Sequence, residues 1–116
     1  MSLLARVVEE RREDVSIAAI EGEVDSSNVH EVGERLRASL TNRSRALVID
    51  LTETSYLDSA GINMLFELFG ELRDRQQSLR LVVPASTPTM RMLSIAGLIG
   101  AISTHETRAE ALAQVG

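Results

Sequence analysis

Ala46-Leu47-Val48-Ile49-Asp50-Leu51 is an apolar run broken by a single acid, and it leads through the polar segment Thr52 to Asp58 into Ser59-Ala60-Gly61. Such a run marks a central strand covered on both faces, because neither side of the pleat meets water. Downstream, Ile62, Leu65, Phe66, Phe69 and Leu72 form one stripe at about 100° per residue, which predicts a helix from Ala60 to Gln76 with that stripe on the sheet. The turn between them then lies at the carboxyl end of a central strand, where open α/β sheets gather their functional groups.

Outward from this unit the pattern repeats. Leu3 to Val8 is β-capable, and the charged run Glu9 to Asp14 reads as a hairpin connection. Val15, Ile17 and Ala19 alternate with Ser16 and Ala18 as a half-buried strand reaching Ile20. Asp25, Ser26, Ser27 and Asn28 are all capping residues, and Val29, Val32, Leu36 and Leu40 follow at helical spacing. Leu79 to Val83 is another buried strand. Thr87 and Pro88 open a helix that stops at Gly97, since proline suits a helix's first turn. Ala101 to Thr104 is a short strand, and Thr107-Arg108-Ala109-Glu110 is a capping box. Alternating strands and helices predict an α/β fold: a mixed, mostly parallel sheet of about five strands with about four helices, preceded by a hairpin strand.

The 116 residues and 12.7 kDa suit one domain. With no cysteine, thiol catalysis and cysteine-ligated metal sites are excluded together. Seventeen acids against twelve bases give a net charge of −5, which disfavours direct contact with a polyanion such as DNA. Tyr56, Phe66 and Phe69 are the only aromatic rings, too few for a base-stacking platform. No H-x-x-E type spacing surrounds either histidine, so no metal or other cofactor is expected. Met1 to Glu10 lacks the apolar core of a signal peptide, and Ile95 to Ile102 is far short of the about 20 residues of a membrane helix. The expectation is a cytoplasmic protein without membrane contact.

Three functions compete for the turn. Asp50 at a strand end suggests a phospho-accepting aspartate, but that chemistry needs a late lysine and an acidic pair after the first strand. All twelve bases here are arginines, and the acidic pair is missing. Ser59 as an esterase nucleophile needs a G-x-S-x-G elbow, and Leu57 stands where the first glycine belongs. Neither His30 nor His105 has an evident orienting partner, so catalysis is not expected. The third function is recognition. On spacing alone, Asp58 or Ser59 caps the helix and Gly61 permits close packing.

The run V-I-D-L-T-E-T-S-Y-L-D-S-A-G-I resembles the signature of STAS domains, the family of anti-sigma-factor antagonists. Gly22-Glu23-Val24-Asp25 resembles that family's motif before the first helix. Leu79 to Val83 with Leu93 to Leu98, and the closing Glu110-Ala111-Leu112, resemble its later segments. The resemblance spans nearly the whole chain, so residues 1–116 are identified as one STAS domain. It implies a non-enzymatic protein that binds an anti-sigma factor and thereby frees a sigma factor. It also implies that the anti-sigma factor, a serine kinase of the histidine-kinase-like ATPase type, phosphorylates Ser59, and that a serine phosphatase reverses this. Ala60 departs from the Ser or Thr many members carry, which removes a second acceptor. The alternative within the family is a structural subunit without regulatory phosphorylation, either a stressosome-like scaffold or a transporter accessory subunit.

The helix after Ser59 bears on the partner. Met64 and Leu68 lie beside the sheet-facing stripe and widen its apolar arc. Either neighbouring helices cover them, or they dock a partner beside the switch residue. Asn63 and Glu67 lie on the open side. The expected partner surface comprises Asp25, Asp58, Ser59, Ala60, Gly61, Asn63, Met64, Glu67 and Leu68. For Asp25 a role as helix cap competes with partner contact.

Overall fold

Strand β2 (Val15–Val24) organises the sheet, because its ten residues give it three neighbours. In the computed structural model, which describes residues 4–113, β1 (Ala5–Arg12) runs antiparallel along most of it. The first half of β2 pairs in parallel with β3 (Ala46–Asp50), and its end pairs in parallel with β4 (Thr54–Leu57). The change of neighbour coincides with a register shift between Gly22 and Glu23. Gly22 has φ 110°, and a Cβ there would stand 2.1 Å from the Leu4 carbonyl oxygen, so only glycine fits. β5 (Ser78–Val82) and β6 (Ser103–His105) continue the parallel part in the order β1-β2-β3-β5-β6. The helices are α1 (Val29–Ala38), α2 (Ser59–Asp74), α3 (Pro88–Ile95) and α4 (Arg108–Ala113).

The mixed α/β sheet with an N-terminal hairpin is as expected, with two differences. The charged run Glu9 to Asp14 is not the hairpin connection: β1 continues to Arg12, and only Glu13 and Asp14 turn, Glu13 at φ 55°. The strand tolerates such charge because both of its faces are open there: Glu9, Glu10, Arg11 and Arg12 are all exposed. The polar segment read as a turn contains β4, a sixth strand. There Thr54 and Leu57 are buried while Ser55 and Tyr56 are exposed, a pattern too short to show as periodicity.

Alternation along the strands builds two cores. Leu47 and Ile49 of β3 and Ala18 and Ile20 of β2 face the helix layer, where Leu36, Leu65, Leu68, Leu72 and Leu93 meet them. Ala46, Val48, Val15, Ile17 and Val82 face the other way, against Ala111 and Leu112 of α4. Met90 and Met92, two residues apart in α3, are both half-buried against the first core.

Asp50 pins α4 to this second face. Its Oδ1 accepts from the Thr52 amide at 2.9 Å and the Thr52 hydroxyl at 2.5 Å, and its Oδ2 accepts from Arg108 Nε at 2.6 Å. Arg108 also donates to Glu10 of β1 at 3.0 Å. Burial pushes the Asp50 carboxyl up, but the hydrogen bonds from Thr52 and Arg108 outweigh it and hold the pKa below the ordinary value. A carboxyl lowered in the folded state adds stability above its unfolded pKa of about 3.9 and loses it as pH falls through the folded value. Asp50→Asn should therefore cost about 1–3 kcal/mol at neutral pH in urea denaturation, and the difference from wild type should shrink once the pH drops below about 4.

Candidate functional site

Ser59 is exposed and is the first residue of α2. The cap belongs to Asp58, with extended backbone at φ −92° and ψ −172°. Its Oδ1 accepts from the amides of Ala60 at 2.9 Å and Gly61 at 3.1 Å, and its carbonyl accepts from Ile62 at 3.0 Å. The Asp58 amide donates to the Val24 carbonyl at 3.2 Å, tying this turn to the end of β2. Its second carboxylate oxygen, Oδ2, accepts from the Ser26 amide at 3.2 Å. One carboxylate thus caps α2 and holds the loop that leads into α1.

That loop is bound to itself as well. Asp25 Oδ1 accepts from the Ser27 amide at 2.8 Å and the Ser27 hydroxyl at 2.5 Å. The Ser27 hydroxyl, then its amide, lower the Asp25 pKa against opposing desolvation. Asn28, the position before α1, accepts from the Asp25 amide at 2.9 Å and donates to the Glu23 carbonyl at 2.8 Å. Neither side chain caps the helix in the usual way; both close the turn. The link through Ser26 brings this loop to the N-terminus of α2, beside Ser59.

Between α1 and α2 runs a groove of about 340 Å³ lined by Val29, His30, Arg37, Ala60, Asn63, Met64 and Glu67. Gly33 of α1 faces Met64 of α2: a Cβ there would stand in ordinary contact with Met64 Sδ, at 3.4 Å, and would displace only the mobile end of Arg37, whose Nη1 lies 2.9 Å away. Arg37 closes one end with a two-pronged bond to Glu71, at 3.0 and 2.8 Å, which raises the arginine pKa.

Three of the expected surface residues are not on the surface. Leu68 is 0% exposed and Met64 5%, because α2 packs against α1 as well as the sheet and the wide apolar arc serves two buried contacts. Gly61 is buried under Leu57 and Val24, and a Cβ there would stand 3.0 Å from the Leu57 side chain. Asn63 and Glu67 are exposed, while Ala60, Asp25 and Asp58 are half-buried. The sequence reading did not include the α1 wall of Val29, His30 and Arg37, which meets α2 only once the helices pack. Tyr56 was also missed as a surface residue. It stands 43% exposed on β4, three positions before Ser59. Among the described residues no three His, Cys, Asp or Glu side chains are grouped to hold a metal ion, and no helix is long and apolar enough to cross a membrane.

The STAS-domain family model matches residues 6–111, and the chain belongs to that family. An anti-sigma-B factor antagonist from Listeria monocytogenes is 32% identical over 103 residues, covering 89% of this chain and 90% of that protein. The crystal structure of an anti-sigma factor antagonist from Mycobacterium paratuberculosis superposes with a TM-score of 0.81 at 24% identity, over 96% of this chain and 93% of the other. The Bacillus cell fate determinant SpoIIAA in its phosphorylated form shares the fold at a TM-score of 0.67 and 20% identity, over 96% of this chain and 100% of the other.

The burial of Leu68 makes it a core residue in any binding experiment. Leu68→Ala should cost about 2–5 kcal/mol in chemical denaturation, and Leu68→Glu should unfold the domain, while Asn63→Ala stays within about 0.5 kcal/mol of wild type. The double role of Asp58 predicts a loss of about 0.5–2 kcal/mol in Asp58→Ala, with faster amide exchange at Ser26 as well as at Ala60 and Gly61.

Proposed function

We propose that this chain is an anti-sigma-factor antagonist whose unmodified form binds an anti-sigma factor, and that phosphorylation of Ser59 switches the binding off. The observation that carries the reading is the placement of an exposed serine at the first position of α2, between the Asp25 loop and the α1–α2 groove, in a chain 32% identical to an anti-sigma-B factor antagonist. In this reading the protein works in the cytoplasm as a binding partner without catalysis of its own. The anti-sigma factor is a serine kinase of the histidine-kinase-like ATPase type. It transfers the γ-phosphoryl group of ATP to Ser59 Oγ, the hydroxyl proton is lost and ADP leaves. A serine phosphatase hydrolyses the ester and restores binding.

The site's chemistry says how such a switch acts. A phosphate adds about −1.5 to −2 charges at neutral pH. A helix N-terminus ordinarily welcomes an anion through free amides, but here Asp58 already occupies those of Ala60 and Gly61. The phosphate therefore gains little from the helix and stands beside the Asp58 carboxylate, pointing to solvent. Asp25 and Glu67 add to an acidic surface on which Arg37 is already paired with Glu71. The fold keeps its contacts while the partner meets a bulky dianion where it fitted a neutral hydroxyl.

Calorimetric titration of an anti-sigma kinase with the unmodified and the phosphorylated domain, each with a thermal melt, tests this. The phosphorylated domain and Ser59→Asp should melt close to wild type yet lose at least about tenfold in affinity, equivalent to about 1.4 kcal/mol. Ser59→Ala should bind and accept no phosphate, and Asp25→Ala should weaken binding with a loss of stability no greater than about 1–2 kcal/mol. Equal affinity of the modified and unmodified forms would refute the switch, and a domain that binds no such kinase would be the structural subunit instead.

A further inference from the structure

Among the described residues β1 is an end strand of the sheet, paired with β2 on one side alone. In an antiparallel ladder the N–H and C=O of one residue point to the same side, alternating along the strand. The Leu4 carbonyl accepts from Glu23 of β2, so Arg6, Val8, Glu10 and Arg12 face β2 in turn, and Ala5, Val7, Glu9 and Arg11 direct their backbone groups outward. The Val7 carbonyl meets only Arg35 Nη2, at 3.5 Å, the outer limit of a hydrogen bond. Proteins commonly keep such edges short. The edge strand β6, at the far side of the sheet, has three residues, whereas β1 has eight.

Side chains select the partner. A two-fold axis normal to the sheet brings two copies of β1 together antiparallel, with opposite residues on the same face, so the numbers of each facing pair add to an even sum. A sum of 16 sets Val8 against Val8, Arg6 against Glu10 twice, Val7 against Glu9 and Ala5 against Arg11, with no like charges opposed. It also brings the outward backbone groups of Ala5 and Val7 opposite those of Arg11 and Glu9. A sum of 18 opposes Glu9 to Glu9 and Arg6 to Arg12, a sum of 20 opposes Glu10 to Glu10, and a sum of 14 forms no ion pair. Opposite charges across a strand pair stabilise it and like charges do the reverse. Val8, at the centre of the favoured register, is 40% exposed, and the Arg6 side chain is 74% exposed. The present partners of these charges are Glu21 for Arg6, and Arg12 and Arg108 for Glu10. Arg6, Glu21, Arg12 and Glu10 are solvated, where ion pairs exchange at little cost, and Arg108 keeps its bond to Asp50 when Glu10 turns to a new partner.

We propose that β1 pairs antiparallel with β1 of a second copy of this chain, Val8 on Val8 and Arg6 on Glu10, so that two sheets run on as one. None of the groove residues takes part, so this association is independent of the proposed partner switch. Sedimentation equilibrium of the full chain from micromolar to millimolar concentration should show a monomer–dimer equilibrium. Arg6→Glu and Glu10→Arg should each weaken the dimer at least tenfold, and the double charge reversal should restore it. Glu9→Pro removes an outward amide, which an edge strand tolerates, and a solvated ion pair with Arg35 at 4.0 Å that contributes little, so it should give a monomer with a near-native thermal melt. A wild type that stays monomeric throughout would overturn the proposal. So would a dimer unaffected by Glu9→Pro, or a double reversal no tighter than its single variants.

Discussion

The carboxylate of Asp58 joins two parts of the chain that would otherwise meet only through the sheet. One oxygen satisfies the first free amides of α2 and the other takes the amide of Ser26. A helix start exposes several unpaired donors, and here the acceptor that answers them also fixes the approach to α1. The β2–α1 loop and the start of α2 are therefore set relative to each other by one side chain of two bonds' reach. Asp25, closed on Ser27, and Asn28, closed on Glu23, then keep that loop in a single shape. Ser59 stands exposed at the end of this arrangement, and the side chains that hold it are those of Asp58, Asp25 and Asn28.

The groove depends on a different constraint, the close approach of α1 and α2. Met64 of α2 packs beside Gly33 of α1, and Arg37 bridges to Glu71. Met64 closes the floor while Asn63 and Glu67 stand along the exposed side. The groove is thus a polar cleft with a short apolar base. The apolar flank expected from the sequence is absent. Specificity in such a cleft comes from the matching of charge and hydrogen bonds, because little apolar area remains to be buried.

Much of this was legible in the residues. Ala46 to Leu51 announced a central strand because its alternating sides are both covered, by α2 on one face and α4 on the other. The D-S-A-G turn was legible because a helix start needs an acceptor and Asp58 supplies one. Periodicity misled at Met64 and Leu68, since it reports that a face is apolar without saying whether solvent, sheet or another helix meets it. Glu9 to Arg12 misled because charge on an edge strand resembles charge in a loop. β4 was missed because a strand of four residues, only two of them buried, gives alternation nothing to count. The α1 wall of the groove could not be read at all, because His30 and Arg37 reach Asn63 and Glu67 only through tertiary packing.

The two faces of the sheet differ in how far their charged groups are taken out of water. On one side the nearly buried Asp50 receives the half-buried Arg108 in a charge-assisted bond, so the last helix is attached through a group whose charge must be kept. On the other, the charged groups around Ser59 are partly solvated, and those that pair do so at the rim. Adding a dianion to the second face changes interactions in high dielectric, where the fold has little at stake and an approaching partner has much, since it must displace the water that screens them. The same charge introduced near Asp50 would compete for Arg108 in a site already desolvated. The phosphoryl group proposed for Ser59 would meet no such competition, because Ser59 is exposed where the sheet's carboxyl edge opens to water.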